Sequence, residues 1–599
     1  MVKDRVALLV ERALDRCAAD GLLPAGAREP VQLDAPKQAA HGDFACNAAM
    51  VLQKQHAAAT GAARPNPRAL AQAIVDRLED PEGLLAGKPE IAGPGFLNQR
   101  LAQDVWHRAL GAVWEERERF GRSDAGRGRK TMVEFVSANP TGPMHVGHGR
   151  GAVIGDVVAS LLDWAGYQVA REFYINDAGG QVFRLAHAVL ARATEIAEPS
   201  LGVARVPLDP EDYQGEYIKD VSRAWLATGP DLSRPFLELR EPLRKFATDW
   251  VLENLIKPDL QLFGIRFDQF YSEKTLHDRD AIAHAVEVLR GKGVLAEEVL
   301  PPPKGQERDP DEPVEEKALL VMKTTRFGDD RDRPIYKTTG EPTYFAADVA
   351  YHFDKLERGY LRLINVWGAD HGGYVSRMKA AVGAMGGSLE VILFQLVNLM
   401  KDGQPFKMSK RAANFVTLRE LLEEAGADAT RFFFLLRRGD MALDFDVALA
   451  RKRSNENPVF YVQYGHARCA AILRKAAEAG LVPRWDADAM TALSLPEEID
   501  LIKRVLQLPE LIAHAAATLE PHRVVFYLQE TIAAFHGYYS RYKKTERVIS
   551  DDPRKTTARL YLVWAIGQAL RNGLAVLGVS APDRMDSPPA GDDVVDTAD

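Results

Sequence analysis

The stretch that decides the fold runs from Thr131 to Arg150 and reads TMVEFVSANPTGPMHVGHGR. Its first seven residues, as far as Ser137, are mostly apolar or β-branched, which predicts a buried strand. A turn rich in Pro and Gly follows, and apolar residues then recur at helical spacing from Val153 to Leu162. A strand, a turn and a helix in this order begin a βαβ unit, which predicts a Rossmann-like, doubly wound parallel sheet.

Two stretches downstream have strand-like patterns that would extend this sheet. They run from Tyr167 to Ile175 and from Arg362 to Val366. Between them, Val294 to Thr339 is rich in Pro, Glu and Asp, which predicts a hairpin with a strongly solvated stretch at 301–316. We therefore expect a parallel α/β sheet with an insertion at about residues 187–340.

The chain of 599 residues should form several domains, because single cores stop growing at about 250 to 300 residues. Helical patterns alternate with turn-rich stretches at Pro36–Gly42 and Ile91–Gly95, which predicts a small α/β domain. An amphipathic helix is expected over Ala102–Phe120, a loop over Gly121–Lys130, and a helical bundle from about Arg451 onward. The predicted regions are 1–112 (small N-terminal α/β domain), 113–450 (parallel-sheet domain), 451–585 (all-α helical bundle) and 586–599 (disordered acidic tail).

The composition is that of an ordinary soluble protein, with 46% hydrophobic and 27% charged residues. We find no apolar run that reaches the roughly 20 residues of a membrane span, and the N-terminus lacks a signal-peptide pattern. The cysteines Cys17, Cys46 and Cys469 are scattered, which argues against a disulfide framework or a zinc ribbon and favours the cytosol. The net charge of −8 still allows a local basic groove for nucleic acid.

The residues His145-Val146-Gly147-His148 lie where the turn gives way to the predicted helix. Anions are favoured there, because the first amides of a helix are unpaired and its dipole is positive. Gly147 would let a nucleotide approach the backbone, and two imidazoles three residues apart can both donate to a triphosphate. Taken alone, the four residues are equally compatible with capping histidines, buried histidines or a metal pair.

A second motif, KMSK, runs from Lys407 to Lys410 after a glycine-containing turn at 401–403. Two lysines three apart on a loop could close over a leaving pyrophosphate and supply positive charge in the transition state. The alternative is a solvated basic loop, which is the commoner fate of such a run. The two motifs in this order favour nucleotide chemistry.

Together they resemble the HxGH and KMSK motifs of class I aminoacyl-tRNA synthetases. The resemblance implies that both motifs bind ATP, and that further nucleotide contacts lie in WGADH at 367–371. Asp370 could accept hydrogen bonds from ribose hydroxyls there, although an Asp after a strand is often a helix cap. The implied catalytic residues are His145, His148, Lys407 and Lys410, and the implied ATP-binding residues are Pro143, His145, Gly147, His148, Gly368, Asp370, His371, Lys407, Met408, Ser409 and Lys410.

Longer segments are similar to arginyl-tRNA synthetases of the bacterial kind. They include VEFVSANPTGPMH from Val133, YINDAGGQ from Tyr174, YFAAD from Tyr344 and SNENP from Ser454, and the similarity leaves out only the acidic tail. The resemblance implies that L-arginine binds to Glu134, Ser137, Asn139, Tyr344 and Asp348, with Glu134, Tyr344 and Asp348 at the guanidinium and Asn139 at the backbone groups.

The chemistry of guanidinium agrees with these residue types. The group is planar, charged and rich in paired donors, so its pocket should offer carboxylates and an oriented hydroxyl. Glu134 in mid-strand needs a cationic partner, and Tyr344 and Asp348, four apart, would share one face of a helix. The alternative for Tyr344 and Asp348 is an ordinary surface hydrogen bond.

Two stretches near the C-terminus interleave aromatic and basic residues, YVQYGHAR at 461–468 and FHGYYSRYKK at 535–544. Aromatic faces can stack on unpaired bases, at about 1 to 3 kcal/mol per base, while Arg and Lys hold phosphates. Such stretches are more often core packing with a solvated face. The resemblance favours anticodon recognition by Tyr461, Gln463, Tyr464, Arg468, Tyr538, Arg541 and Lys543, and it implies an N-terminal domain at the tRNA elbow.

The resemblance implies arginine–tRNA ligation, in which ATP with Mg²⁺ activates L-arginine and tRNA(Arg) receives it. The arginine carboxylate would attack the α-phosphate in line, so we nominate no general base. The family also implies that tRNA binds before activation. We expect a cytosolic monomer with no protein-bound metal, no membrane association and no editing site, because a pocket of buried polar groups rejects analogues well.

Three rival functions have features against them. A synthetase for cysteine typically needs zinc, and this chain has no cysteine pair to bind it; one for glutamate stays an alternative within the class. A small nucleotidylyltransferase would be much shorter and would leave KMSK unexplained. A non-catalytic relative would be expected to lose one of the two motifs.

Overall fold

The computed structural model describes residues 2–23, 30–36, 38–60, 66–201, 204–299, 318–401, 403–405 and 416–586. The strands are β1 Leu33–Asp34, β2 Phe44–Cys46, β3 Glu90–Ala92, β4 Phe96–Gln99, β5 Lys130–Glu134, β6 Gln168–Ile175, β7 Gln269–Ser272, β8 Leu295–Glu298, β9 Leu319–Met322, β10 Arg333–Pro334, β11 Arg362–Gly368, β12 Ser388–Phe394, β13 Val397–Lys401, β14 Gln404–Pro405 and β15 Leu443–Asp446.

The α-helices alternate with these strands in the first three quarters of the chain and follow one another in the last quarter. They are α1 Val2–Ala19, α2 Ala48–Thr60, α3 Pro67–Asp76, α4 Gln103–Ala109, α5 Gly111–Glu116, α6 Val146–Trp164, α7 Gly180–Leu201, α8 Tyr217–Leu226, α9 Phe236–Val251, α10 Lys257–Leu262, α11 Lys274–Asp278, α12 Ala281–Gly291, α13 Tyr344–Glu357, α14 Val375–Met385, α15 Leu418–Ala425, α16 Ala427–Phe434, α17 Val447–Arg451, α18 Pro458–Glu478, α19 Ala487–Met490, α20 Pro496–Thr518, α21 His522–Tyr542 and α22 Pro553–Leu577.

The chain divides into two compact units. The first comprises Met1–Phe120, Arg468–Leu508 and Ala533–Ala569, and the second comprises Gly121–Ala467, Pro509–Ile532 and Leu570–Asp599. In the first unit, a four-stranded antiparallel sheet in the order β1-β2-β4-β3 accompanies helices α1 to α3.

The helix predicted over Ala102–Phe120 is interrupted. Helix α4 ends before Leu110, α5 begins at Gly111, and a 3-10 turn completes the segment. The Tyr561 hydroxyl donates a 2.9 Å hydrogen bond to the Leu110 carbonyl. A Cβ on Gly111 would lie 2.8 Å from the Trp485 ring, so this aromatic packing needs a glycine, the weakest helix former after proline.

The second unit contains the predicted doubly wound sheet, which confirms the fold class. Its five strands are all parallel and lie in the order β12-β11-β5-β6-β7. The chain therefore winds outward from β5 to one edge, and then returns to place β11 on the other side of β5. Ligands of open parallel sheets bind at such a switch point, outside the carboxyl ends of the strands.

Helix α6 packs against this sheet along a row of glycines. A Cβ on Gly155 would lie 2.2 Å from the Phe135 ring, and one on Gly151 would lie 2.7 Å from the Phe394 ring. The apolar residues from Val153 to Leu162 are buried as predicted. The helix therefore approaches the sheet more closely than larger residues would allow.

The hairpin predicted within Val294–Thr339 is formed by β8 and β9, which pair antiparallel. Strand β10 pairs antiparallel with β9 and adds a third strand. The solvated stretch at 301–316 lies outside the described residues, and so do residues 587–599 of the predicted acidic tail. A third small sheet has the order β14-β13-β15.

Helix α22 is long and apolar enough to cross a membrane by length and composition, which corrects the expectation that no run reaches this length. Of its most apolar window, 83% is buried inside the protein, as in the core helix of a soluble protein. The three cysteines are buried and free.

Candidate active site

Two turns with predicted site residues leave neighbouring strands at the switch point. Strand β5 leads into the turn before His145, and β11, which pairs with β5 in parallel, ends at Gly368. Because the carboxyl ends of parallel strands share one edge of a sheet, the HxGH and WGADH segments lie on the same side.

The two histidines of the HxGH motif cap helix α6 together. His145 is the N-cap residue, and its Nδ1 accepts a 3.3 Å hydrogen bond from the His148 backbone N–H. In return, His148 Nδ1 accepts a 3.3 Å hydrogen bond from the His145 backbone N–H. The rings stack with centroids 3.6 Å apart. The capping alternative is therefore present, and it engages Nδ1 of both rings.

The cap sets the protonation of both rings. An Nδ1 that accepts a hydrogen bond carries no proton, so the neutral ring holds its proton on Nε2 and can donate from there. Removal from water lowers the pKa of His145, and it lowers the pKa of His148 to about 3, helped by the neighbouring ring. At neutral pH the pair offers two N–H donors and no positive charge.

Position 147 needs a glycine in this arrangement, because a Cβ there would lie only 2.9 Å from the ring of His145 and would clash with it. Pro143 belongs to the partly buried turn before the helix. The residues Lys407, Met408, Ser409 and Lys410 lie outside the described residues. Beyond them, Thr417 forms a β-bridge with His145, and the Leu418 N–H donates a 2.8 Å hydrogen bond to Met144 O.

The residues Gly368, Asp370 and His371 lie at the end of β11 and in the 3-10 turn after it. A Cβ on Gly368 would lie 2.4 Å from Asp370 Oδ1, so a glycine is required for this position of the carboxylate. Both Asp370 and His371 are exposed, with His371 Nε2 3.5 Å from Asp370 Oδ2.

Glu134 was predicted to need a cationic partner. It is the last residue of β5, and its cationic partner is Lys355 of the same chain. Lys355 Nζ lies 2.5 Å from Glu134 Oε2, and the Ser137 hydroxyl donates a 3.1 Å hydrogen bond to Oε1. The same hydroxyl accepts a 3.1 Å hydrogen bond from the Tyr174 N–H. Val136 and Ser137 both have positive φ, 66° and 42°, which is unfavourable for a β-branched residue such as valine.

Asn139 is exposed in the turn, and its Nδ2 donates a 2.6 Å hydrogen bond to Gln181 Oε1 in the first turn of α7. Sequence reasoning did not single out Gln181. The pair connects the turn after β5 to the helix after β6, at the carboxyl edge of the sheet.

Tyr344 and Asp348 lie one turn apart on α13, as predicted, but in different environments. The Tyr344 side chain is 82% exposed, whereas Asp348 Oδ2 accepts a 2.5 Å hydrogen bond from the Tyr374 hydroxyl. Burial and the carboxylates of Glu134 and Glu273 together raise the pKa of Asp348 to about 7, against the lowering effect of Tyr374.

Glu273 is a buried carboxylate that the sequence analysis missed. It follows the end of β7, hydrogen-bonds the Tyr174 hydroxyl, and burial raises its pKa. Its charge acts on Asp348 together with that of Glu134. An acidic residue directly after a parallel strand is a signal that could have identified it, because strand ends of such sheets form the ligand edge.

In the second unit, Gln463 and Tyr464 of α18 are buried and Tyr461 is half-buried. Gln463 Nε2 donates to Asp428 Oδ2 at 2.8 Å and to the Ser580 carbonyl at 2.9 Å. The Tyr464 ring stacks on that of Phe460, with centroids 5.7 Å apart. Gln463 and Tyr464 thus have packing partners within the protein.

In the first unit, Tyr538 is buried and its hydroxyl donates a 3.1 Å hydrogen bond to Glu498. Arg541 is exposed and forms an ion pair with Glu497, while Lys543 is half-buried. The guanidinium of Arg468 lies 5.9 Å from the ring centroid of Tyr539. The basic residues of these two stretches that reach the surface include Arg541, Lys543 and Lys544, together with the partly exposed Arg468.

Among the described residues, we find no group of three or more His, Cys, Asp and Glu side chains that could hold a metal ion.

Three family models match the chain. They are an arginyl tRNA synthetase N terminal domain at 4–101, a class I (R) tRNA synthetase catalytic domain at 112–202 and a DALR anticodon binding domain at 462–585. An arginine–tRNA ligase of Anaeromyxobacter dehalogenans is 50% identical, over 98% of both chains. One of Desulfosudis oleivorans is 45% identical, over 98% of this chain and 100% of the relative.

The fold also matches solved structures. The arginyl-tRNA synthetase of Thermus thermophilus superimposes with a TM-score of 0.71 at 22% identity, over 98% of this chain and 100% of that chain. The high identity over the full length of the curated relatives, with the parallel sheet and the capped HxGH turn, shows that the chain belongs to the arginyl-tRNA synthetase family of class I arginine–tRNA ligases.

Proposed function

We propose that this chain activates L-arginine with ATP at the carboxyl edge of its parallel sheet and transfers it to tRNA(Arg). The observation that carries the proposal is the presence at one edge of the sheet of two sites: a helix N-terminus with two neutral imidazole rings, and three carboxylates, Glu134 and Glu273 at the ends of β5 and β7 and Asp348 on α13. The first suits polyphosphate, and the second suits guanidinium.

For ATP, the Nε2–H groups of His145 and His148 would donate to phosphate oxygens. Gly147 and Pro143 leave the helix N-terminus open to the nucleotide, and Gly368, Asp370 and His371 would contact the ribose and base. Lys407, Met408, Ser409 and Lys410 would close over the pyrophosphate. Mg²⁺ would be bound through the phosphates of ATP, since this ion commonly keeps few protein ligands.

For arginine, the guanidinium would bind Asp348 and Glu273, with the Tyr344 hydroxyl beside it, and the paired Glu134 would form one wall of the pocket. The carboxylates of Asp348 and Glu273 disfavour each other's ionisation in the empty pocket, and a planar cation with five donors relieves that repulsion. Asn139, which Gln181 orients, would hold the amino acid's backbone groups, and Ser137 would hold Glu134 in place.

In the reaction, the arginine carboxylate attacks the α-phosphate of ATP, the bond to the β-phosphate breaks, and pyrophosphate leaves. Positioning and charge stabilisation suffice, because the attacking carboxylate is already ionised. A terminal hydroxyl of tRNA then attacks the arginyl carbonyl and releases AMP.

For tRNA, we propose that the helical domain at 451–585 contacts the anticodon and the domain at 1–112 contacts the elbow, with the catalytic domain at 113–450. Tyr461, Arg468, Arg541 and Lys543 are partly or fully exposed and would contact the RNA directly. Gln463, Tyr464 and Tyr538 would hold the helices that present them. We further propose a cytosolic monomer.

The test is aminoacylation by the purified full-length protein with ATP, Mg²⁺, total tRNA and each labelled amino acid in turn. We expect arginine to be charged and lysine, citrulline and glutamate to give background. Charging of another amino acid, or none with any of the twenty, would overturn the proposal. Sedimentation of the same sample tests whether the protein is a monomer.

A further inference from the structure

Lys355 has a buried positive charge to which the proposed reaction gives no role. Its side chain is 0% exposed, and Nζ lies 2.5 Å from Glu134 Oε2 and 4.1 Å from the centroid of the Tyr351 ring. A buried ammonium is unfavourable unless it is paired and hydrogen-bonded. Lys355 and Glu134 therefore depend on each other, although one lies on α13 and the other on β5.

The three carboxylates of the pocket differ in their internal partners. Both oxygens of Glu134 are engaged, Oε2 by the Lys355 ammonium and Oε1 by the Ser137 hydroxyl. Asp348 accepts from the Tyr374 hydroxyl, and Glu273 from the Tyr174 hydroxyl, with the His277 imidazole 3.9 Å away. The two hydroxyl partners carry no charge, so they leave most of the negative charge of Asp348 and Glu273 for a ligand.

We propose that Lys355 is a positioning residue for arginine: its ammonium neutralises Glu134 and thereby directs the substrate guanidinium to Asp348 and Glu273. The inference rests on the arginine pocket proposed above. It assigns to Glu134 the role of holding Lys355, and through it α13, in place.

The electrostatics of Asp348 give this role a measurable signature. Asp348 is faced by Glu134 from β5, by Tyr174 from β6, by Glu273 after β7, by Tyr374 before α14 and by Lys355 on its own helix. Among these, Glu134 and Glu273 raise the pKa of Asp348, whereas Tyr374 and Lys355 lower it. Loss of Lys355 alone should therefore protonate Asp348 at a higher pH, and the simultaneous loss of Glu134 should reverse most of that change.

The experiment compares Lys355→Met, Glu134→Gln and the double variant by steady-state aminoacylation at saturating ATP and tRNA(Arg), from pH 6 to 9. Lys379→Met, an exposed lysine on α14, is the matched control. We expect each single variant to raise the arginine KM by about 10-fold or more, as when one partner of a buried pair is left alone. In Lys355→Met the rise of KM at low pH should begin at a higher pH.

We expect the double variant to recover an arginine KM within about 3-fold of the unmodified chain, with its original pH profile, since it leaves no unpaired buried charge. If Lys355→Met fails to fold, the double variant alone carries this test. A double variant that keeps the full KM defect of Glu134→Gln would overturn the inference and make Glu134 a direct ligand.

The variant Asp348→Asn distinguishes a failure of this inference from a failure of the proposed arginine pocket. If Asp348→Asn leaves the arginine KM unchanged, the proposed pocket fails. If it raises KM as expected and the double variant still shows no recovery, the pocket stands and the role of Lys355 is overturned.

Discussion

The imidazole rings of His145 and His148 stack with their centroids 3.6 Å apart, and each ring accepts the backbone N–H of the other residue. One pair of side chains therefore both caps α6 and provides two donors at its N-terminus. The two roles use different ring nitrogens, so they can be separated by substitution.

His145→Asn should keep the cap and lose the donor, because the Asn Oδ1 can replace Nδ1 as acceptor. We expect an unchanged melting temperature and a fall of about 100-fold to 1000-fold in kcat, the range for removing one transition-state donor. The fall in kcat is measured by ATP–pyrophosphate exchange in the presence of tRNA(Arg). The control, His145→Ala, should lose activity and also about 1 kcal/mol of stability. Full activity in His145→Asn would contradict the donor role.

Asp348→Asn should raise the arginine KM by about 100-fold or more and leave the ATP KM near its original value. The reason is that the guanidinium loses a buried charged partner, at about 3 kcal/mol. Asp220→Asn, at an exposed carboxylate on α8, is the control and should behave like the unmodified chain. Equal losses for arginine and ATP would remove Asp348 from the arginine pocket.

The arginine KM should depend on pH with a midpoint near 7. The pKa of Asp348 is raised to about 7 in the empty pocket, so below this pH the side chain is protonated, has no charge and binds guanidinium poorly. We expect KM to rise about tenfold per unit as the pH falls below 7 and to be flat above it. The pKa of His148 is lowered to about 3, so its charge should not change in this range. A KM that is flat from pH 6 to 8 would contradict the raised pKa.

Tyr374→Phe removes the hydroxyl that stabilises the ionised Asp348. A hydrogen bond to a charged group contributes about 1.5 to 3 kcal/mol, so the midpoint of the KM profile should move to higher pH. At pH 9 the difference should be smaller than at pH 7, because a much larger share of Asp348 is ionised in the variant there. Tyr360→Phe, in the loop between α13 and β11, is the control. An equal KM defect at every pH would indicate lost packing instead.

Gly155→Ala should destabilise the second unit by about 1 to 3 kcal/mol, because its Cβ would lie 2.2 Å from the Phe135 ring in a packed core. The control is Gly537→Ala on α21, where nothing lies within 4 Å of the new Cβ. This variant should be stabilising by about 1 kcal/mol, since alanine is the better helix former. Urea denaturation followed by circular dichroism compares the two, and equal effects would argue against close packing of α6.

Local patterns predicted much of this fold. The strand, turn and helix from Thr131 onward depend on neighbours in sequence, and α6 begins within the predicted motif. What sequence reasoning missed depends on distant residues. Lys355 pairs with Glu134 across 221 positions, and Tyr561 reaches Leu110 across 451. Periodicity contains no information about such contacts.

In the site, too, local sequence predicted some features, whereas others depend on residues distant in the chain. The need of Glu134 for a cation followed from its place in a buried strand, but the identity of that cation required the packing of α13 on the sheet. The burial of Gln463, Tyr464 and Tyr538 likewise depends on neighbouring segments, which an aromatic and basic pattern does not specify.

The positive φ angles of Val136 and Ser137 affect the energetics of ligand binding as well as the shape of the turn. Backbone in this region is unfavourable by about 1 to 3 kcal/mol per residue, and the surrounding structure maintains it before any substrate arrives. The conformational free energy of this turn is therefore part of the free energy of folding, and ligand binding does not have to supply it. In the proposed arginine pocket this strain would preorganise the turn, and a more relaxed turn would lower affinity while raising stability.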